Sequence, residues 1–469
     1  MGSSEGNRLD PNWPGNHALA FMGAPEVLID RLNRGVRRRN ARWTFVRDQA
    51  FGDALKLRRL RLGNGLTVLL LVDRSAPTVS YHTWFRVGSR NERPGKTGLA
   101  HLFEHLMFSE TRNHPHGEFD RLMEGAGAEA NAATWTDWTC YYENAPRDAL
   151  PLLIELEADR MSNLVLRVPQ VTSEKEVVAN ERKLRVDDDV EGKALEMLYD
   201  NAFRRHPYRW PTIGSMQDIR GFTVRDCQEF YRTHYAPANA TVVIAGDFNE
   251  QKALSHVQKH YGGLSASRAA KPPTPAKEPS QRGERVLQLT APTPTEKLLI
   301  GYRAPSFSDP HTPALVIANE VLFGGTSSRL HRLFCLDQEV ALSVRGSISP
   351  FIDPGLFEMW IFLREGKPKE DALALLDGEI DRLGCDGPSR SELDKAINQL
   401  ELSFLHSMET AGGKAEQIGF YETVANDGAA VFDRLAAYRN VSADDVKRAV
   451  TKYLRRSRRT RVEILRKAS

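Results

Sequence analysis

Residues 98–110 read GLAHLFEHLMFSE, from Gly98 to Glu110. Two histidines and a glutamate stand within five residues of an otherwise apolar run. On an α-helix His101 and His105, at i and i+4, share one face a turn apart, close enough to hold one ion. Glu104 flanks the same spot. Leu99, Leu102, Phe103, Leu106, Met107 and Phe108 make the remaining faces apolar, so the stretch is a helix packed into a core. Burying an imidazole pair and a carboxylate is costly unless they are partnered. A bound cation is the simplest partner, and two neutral imidazoles favour zinc over magnesium or calcium. The plain alternative is a pair of satisfied core histidines. A His-x-x-Glu-His string arises by chance in roughly one in forty chains of this size and composition, so the string needs support from elsewhere.

A catalytic zinc needs a third protein ligand and an open position. The segment SEKEVVANERKLR (Ser173 to Arg185) offers one. Ser173 with Glu176 has the spacing of a capping box, which predicts a helix starting there. Glu174 and Glu181 lie two turns apart on one face, with Val177 and Val178 near it. Carboxylates among valines suit a helix whose acids turn inward, whereas the plain account of Glu181 is a surface glutamate.

The whole chain bounds the function classes. Its 469 residues predict roughly two to four domains, and 41% hydrophobic with 27% charged residues is ordinary for a globular protein. A net charge of +3 gives no field for nucleic acid or an anionic membrane. Two basic runs, Arg34 to Arg42 and Leu454 to Arg461, lack aromatic residues spaced for base stacking and read as solvated faces. Cys140, Cys227, Cys335 and Cys385 are far apart, which speaks against a disulfide framework and suits a reducing compartment. No run approaches a membrane span, and the first residues lack the apolar segment of a signal peptide. A cytoplasmic location is the expectation, with a periplasmic one following if a signal was removed.

Along the chain, residues 1–56 read as an irregular arm with one short helix near Pro25 to Arg38. Leu57 to Asp73 is two strand-like runs joined by Asn-Gly, a strong hairpin signal. Thr78 to Gly88 is a further strand, Ala130 to Ala145 a strand pair, Leu150 to Asn163 a helix and Asn239 to Asp247 a buried strand. Residues 265–285 are rich in Pro, Ser, Lys and Ala and read as a linker. After them the order of elements restarts. The chain therefore reads as a duplicated α+β unit, with domains at 57–264 and 286–469, and the second lacks a counterpart of the polar triplet.

The combined motifs resemble a known family. HLFEH is the inverted zinc motif of the inverzincins. GNGLTVLLLVD, the Gly88 to Glu92 turn, KTGLAHLFEHLMF, NAATWTDWTCYY, EKEVVANE, HPYRWPTIGS (His206 to Ser215) and YAPANATVVIAGD (Tyr235 to Asp247) are similar, in order, to the pitrilysin family. The short two-domain members related to the mitochondrial processing peptidase resemble it best, over residues 56–465. The 76 residues from His105 to Glu181 are also the family's spacing to its third ligand.

The resemblance implies a fold of two homologous domains, each a mostly antiparallel sheet packed with helices, and a zinc metallopeptidase. It implies one Zn2+ held by His101, His105 and Glu181, Glu104 as general base, and Glu174 as a carboxylate that orients a ligand. It implies that Asn131 and Ala132 lie on a strand edge to which peptide adds as a β-strand. The second half departs from the pattern. Where active members carry an Arg and, seven residues later, a Tyr, the aligned positions are Cys335 and Leu342, neither a strong donor to an oxyanion. The resemblance then implies a heterodimer with a homologous subunit that supplies the Arg/Tyr pair. The alternatives are a non-catalytic subunit of the same fold and a self-sufficient homodimer using another donor such as Arg329.

Overall fold

In the computed structural model, which describes residues 24–266 and 275–467, the hairpin signal at Asn64-Gly65 sets the first sheet. Gly65 takes φ +98° there, and a Cβ would stand 2.9 Å from that of Ala238, so only glycine fits the turn. Among the described residues this sheet holds Trp43–Phe51 (β1), Leu55–Leu62 (β2), Thr67–Val72 (β3), Thr78–Phe85 (β4), Glu129–Thr134 (β5), Thr139–Pro146 (β6) and Ala240–Gly246 (β7). The order across it is β1-β2-β3-β7-β4-β6-β5. β7 is buried at every residue, as its unbroken apolar run requires of a central strand.

The second sheet holds Arg285–Ala291 (β8), Lys297–Arg303 (β9), Ala341–Ile348 (β10), Leu356–Leu363 (β11) and Arg459–Arg466 (β12), in the order β10-β11-β9-β12-β8. Setting β1 and β2 aside, the two sheets have one topology. β3-β7-β4-β6-β5 matches β8-β12-β9-β11-β10. In each, one parallel pair (β3 with β7, β8 with β12) is followed by antiparallel neighbours. The duplication read from element order is therefore a duplication of strand pairing.

Each half covers the other's sheet with a helix. Ala411–Ala425, from the second half, packs Ala415 and Ile418 onto Trp84, Leu69 and Val243 of the first sheet. Val190–Ala202, from the first half, packs Ala194, Leu198 and Ala202 onto Leu299, Val462 and Ile464 of the second. The close approaches need glycine. A Cβ at Gly419 would fall 1.9 Å from Trp84 Nε1, and one at Gly301 would stand 3.1 Å from both Leu198 methyls. The two halves thus share buried apolar surface and form one body.

Several expectations are corrected. Trp43–Phe51, expected in an irregular arm, is β1, because it pairs with β2 along its length and buries Trp43 and Phe51 at its two ends. The arm's helix is Pro25–Asn33, shorter than expected. The Ser173 capping box does not form. That helix begins at Val168 with Pro169 in its first turn, where a missing N–H costs nothing. The linker is pinned at its described end: Glu278 accepts the backbone N–H of Arg204 at 2.7 Å, Arg205 at 2.8 Å and His206 at 2.9 Å. Residues 1–23 and 267–274 lie outside the described residues. Of the second basic run, Arg459 is buried and tied to Glu284 and Asp377, each at 2.5 Å.

Candidate metal centre

The helix quoted at the outset spans Leu99–Leu106. It starts where it does because Gly98 adopts φ +90°, with its Cα pressed against Ile213, where a Cβ would meet a carbonyl oxygen at 2.3 Å. The buried Glu92 closes the helix N-terminus by accepting from the N–H of Gly98 and of Ala100, each at 2.8 Å. Burial pushes the Glu92 carboxyl well above its ordinary range, against the pull of those N–H groups. Leu99, Leu102, Phe103 and Leu106 pack into the first half's core, and Phe103 O accepts from Tyr141 on β6 at 3.2 Å. The helix is thus held at its start by a carboxylate and along one side by the sheet. That orients the two imidazoles outward on the same side.

The third element is the Val168–Arg182 helix, followed by a π-helical turn over Lys183–Asp187. Arg182 fixes this junction by ion pairs to Glu196 at 2.8 Å and Asp187 at 3.2 Å and by donating to Gly214 O. Next to Arg182, Glu181 Oε2 stands 3.6 Å from His101 Nε2 and 3.4 Å from His105 Nε2. The two rings are 5.0 Å apart at their centroids. Glu174 Oε2 lies on the other side of His105, 3.7 Å from Nδ1. Glu104 is half-buried beside them, and its charge acts on both imidazoles. Val178 is buried under this face, whereas Val177, expected near it, is 46% exposed.

The donors fit a zinc ion. His101, His105 and Glu181 each offer one atom, and these lie within 4.8 Å of one another. Glu181 Oε2 is buried without a hydrogen-bond partner while facing two ring nitrogens. An ion shared with the two rings would satisfy that buried carboxylate oxygen. Two imidazoles and a carboxylate form a donor set used for catalytic zinc. The charges agree. The close approach of the His105 ring, then the charges of His101 and Arg185, hold Glu181 below the usual carboxylate range despite its burial. Burial keeps His101 below its ordinary value, against the charges of Glu104 and Glu181. For His105, burial is outweighed by Glu181, Glu104 and Glu174, and the net shift is upward. A metal bound there would compete with protonation of this ring.

Matches to known proteins agree with this geometry. Residues 67–215 match the family described as Insulinase (Peptidase family M16), and residues 221–400 match the Peptidase M16 inactive domain. The chain is 30% identical to zinc protease PqqE of Helicobacter pylori, over 86% of this chain and 91% of that protein. The chain belongs to the M16 peptidase family. A crystal structure of a protease from Helicobacter pylori superposes with a TM-score of 0.83 at 28% identity, covering 88% of this chain and 99% of that one. The probable mitochondrial-processing peptidase subunit beta of Arabidopsis thaliana is 25% identical, over 84% of this chain and 75% of that protein.

Within this M16 chain, β5 is an edge strand paired only to β6. Asn131 stands opposite Tyr142 and Ala132 opposite Tyr141, so the two side chains lie on opposite faces. Ala132 belongs to the face under the metal-motif helix, packed against the first core. In the second half, Cys335 is buried in the core and Leu342 is 56% exposed on β10. Arg329 is held by Glu392 at 2.6 Å and Glu379 at 3.1 Å. Two participants escape sequence reasoning. Glu92 caps its helix from six residues away, a spacing with no motif. Arg185 reaches Glu181 at 3.0 Å, an ordinary i,i+4 pair. Among the described residues no helix is long and apolar enough to cross a membrane.

Proposed function

We propose that this chain is a zinc-dependent endopeptidase subunit that hydrolyses peptides or short unfolded segments. The observation that carries this reading is the Glu181 oxygen that lacks a hydrogen-bond partner and faces two imidazoles, on both of which the Glu104 charge also acts, in a half with a free strand edge. His101, His105 and Glu181 would hold the ion. When bound, zinc acidifies a water and polarises a carbonyl. Glu104 takes the proton of the attacking water on a carboxylate oxygen and passes it to the departing amine nitrogen. Glu174 keeps the His105 ring in place through Nδ1. Asn131 and Ala132 present β5 so that a peptide pairs by its backbone, a mode that selects extended chains more than sequences.

The chain lacks a strong donor at Cys335 and Leu342, and Arg329 is already engaged by two carboxylates. The oxyanion partner is therefore assigned to a homologous subunit carrying the Arg/Tyr pair, in a heterodimer. The complete donor set speaks against a purely structural subunit. Peptide hydrolysis by the purified chain, with and without such a partner, tests this. Weak turnover alone and restoration on mixing is the expected result. Full turnover by the isolated chain refutes the heterodimer, and no zinc-dependent turnover in either case refutes the peptidase.

A further inference from the structure

On the face of the first sheet turned away from the metal-motif helix lies a cleft of about 840 Å³. Its floor is made of alternate residues of three strands. In the ladder Glu129 faces Asn144 and Ala133 faces Cys140, while His82 and Trp84 stand opposite Tyr142 and Cys140. Its far wall is the start of the Ala411–Ala425 helix, which brings Glu416 over the floor. No lysine or arginine lines it among the described residues. Two carboxylates, Glu129 and Glu416, do, and neither has a basic partner within ion-pair distance among those residues. Trp84, Trp138 and Tyr142 add aromatic surface.

The position of this cleft follows from strand geometry. β5 is the outermost strand, and Glu129 and Ala133 of its far face form the outer margin of the floor. Side chains alternate faces at a period of two. A peptide added to β5 would therefore turn every second side chain toward the metal-motif face and the others over this cleft. A pocket of uncompensated carboxylates and aromatic faces is complementary to a cation. His82 does not oppose this. Burial holds its ring down to about 3, so it is neutral, and its Nε2 is buried without a partner.

We infer that the cleft is a specificity pocket for positively charged side chains, arginine or lysine, at alternate positions of a peptide paired to β5. This deepens the peptidase reading and rests on it for the strand edge.

The test uses the full-length Glu104→Gln chain, in which bound peptide survives, and two nine-residue serine/alanine peptides of identical composition. One carries Arg-Ser-Arg and the other Arg-Arg-Ser. Whatever register is adopted, only the first can turn both arginines over the cleft. It is expected to bind about fivefold more tightly by fluorescence anisotropy, the scale of one partly exposed ion pair. Norleucine versions are expected to show no such difference. Glu129→Gln with Glu416→Gln is expected to abolish the gain, with zinc content checking that the variant is folded. Equal binding of the two arginine peptides, a gain that survives the double substitution, or no binding of any peptide overturns the proposal. Zinc-dependent cleavage of a mixed peptide pool by the unmodified chain, measured with and without a partner, reports on the peptidase reading separately.

Discussion

Replacing Glu174 by glutamine isolates the support of one ligand from ligation itself. The carboxylate stands 3.7 Å from His105 Nδ1, while Glu181 stands 3.4 Å from Nε2 of the same ring. Two full charges at that distance would attract by about 4 kcal/mol at an effective dielectric near 20. A metal-bound imidazole carries only part of a charge at Nδ1–H, and the Glu174 side chain keeps some solvent contact. The loss should fall within the usual range for partners that orient metal ligands, about 10- to 100-fold in affinity, or about 1.4–2.7 kcal/mol. Glu181→Gln removes a donor outright and should cost more. Glu176→Gln, an exposed residue of the same helix, should change affinity by less than about threefold, since it leaves the donor set intact. Competition against a chromogenic chelator gives all three affinities. Unchanged zinc affinity in Glu174→Gln, or an equal loss in Glu176→Gln, refutes the assignment of Glu174.

Glu104→Gln should keep zinc and lose activity by about 10²- to 10⁴-fold, the worth of a general base; loss of zinc in that variant, read by elemental analysis, would make Glu104 a ligand instead. Leu198→Ala empties the fully buried contact over Gly301 between the halves and should destabilise the protein by about 2–5 kcal/mol in denaturant titration. Asp137 supplies a pH signature. Burial pushes its carboxyl up to about 6, against the Ile352 N–H and the Tyr208 hydroxyl that it accepts from. The folded state therefore holds more protons than the unfolded state between about pH 4 and 6, and stability falls as pH rises through that window. The scale is about 3 kcal/mol. Asp137→Asn should remove this slope, and melting curves from pH 4 to 7 that keep the same slope in the variant would refute it.

Much of the fold was legible because its signals are local. Asn64-Gly65 dictates a hairpin by backbone conformation alone, the unbroken apolar run of β7 marks a central strand, and the restart of element order after the proline-rich segment marks a duplication. Trp43–Phe51 was not legible as a strand. Its burial is marginal and its reason for existing is β2, which pairs with it. The start of the Val168–Arg182 helix was misplaced because Ser173 and Glu176 imitate a cap, while Pro169 in a first turn gives a quieter signal.

The sequence by itself determined the chemistry: two imidazoles on one helical face, an adjacent carboxylate, and two more carboxylates two turns apart on a second helix. Their periodicity places them on faces without knowledge of anything distant. Only the tertiary structure decided that Glu181 lies against Nε2 and Glu174 against Nδ1 of His105, that Glu92 caps the first helix, and that each half roofs the other's sheet. These depend on how helices 76 residues apart in the chain meet across a shared core. Such packing is the summed result of many weak apolar contacts, and no short spacing encodes it.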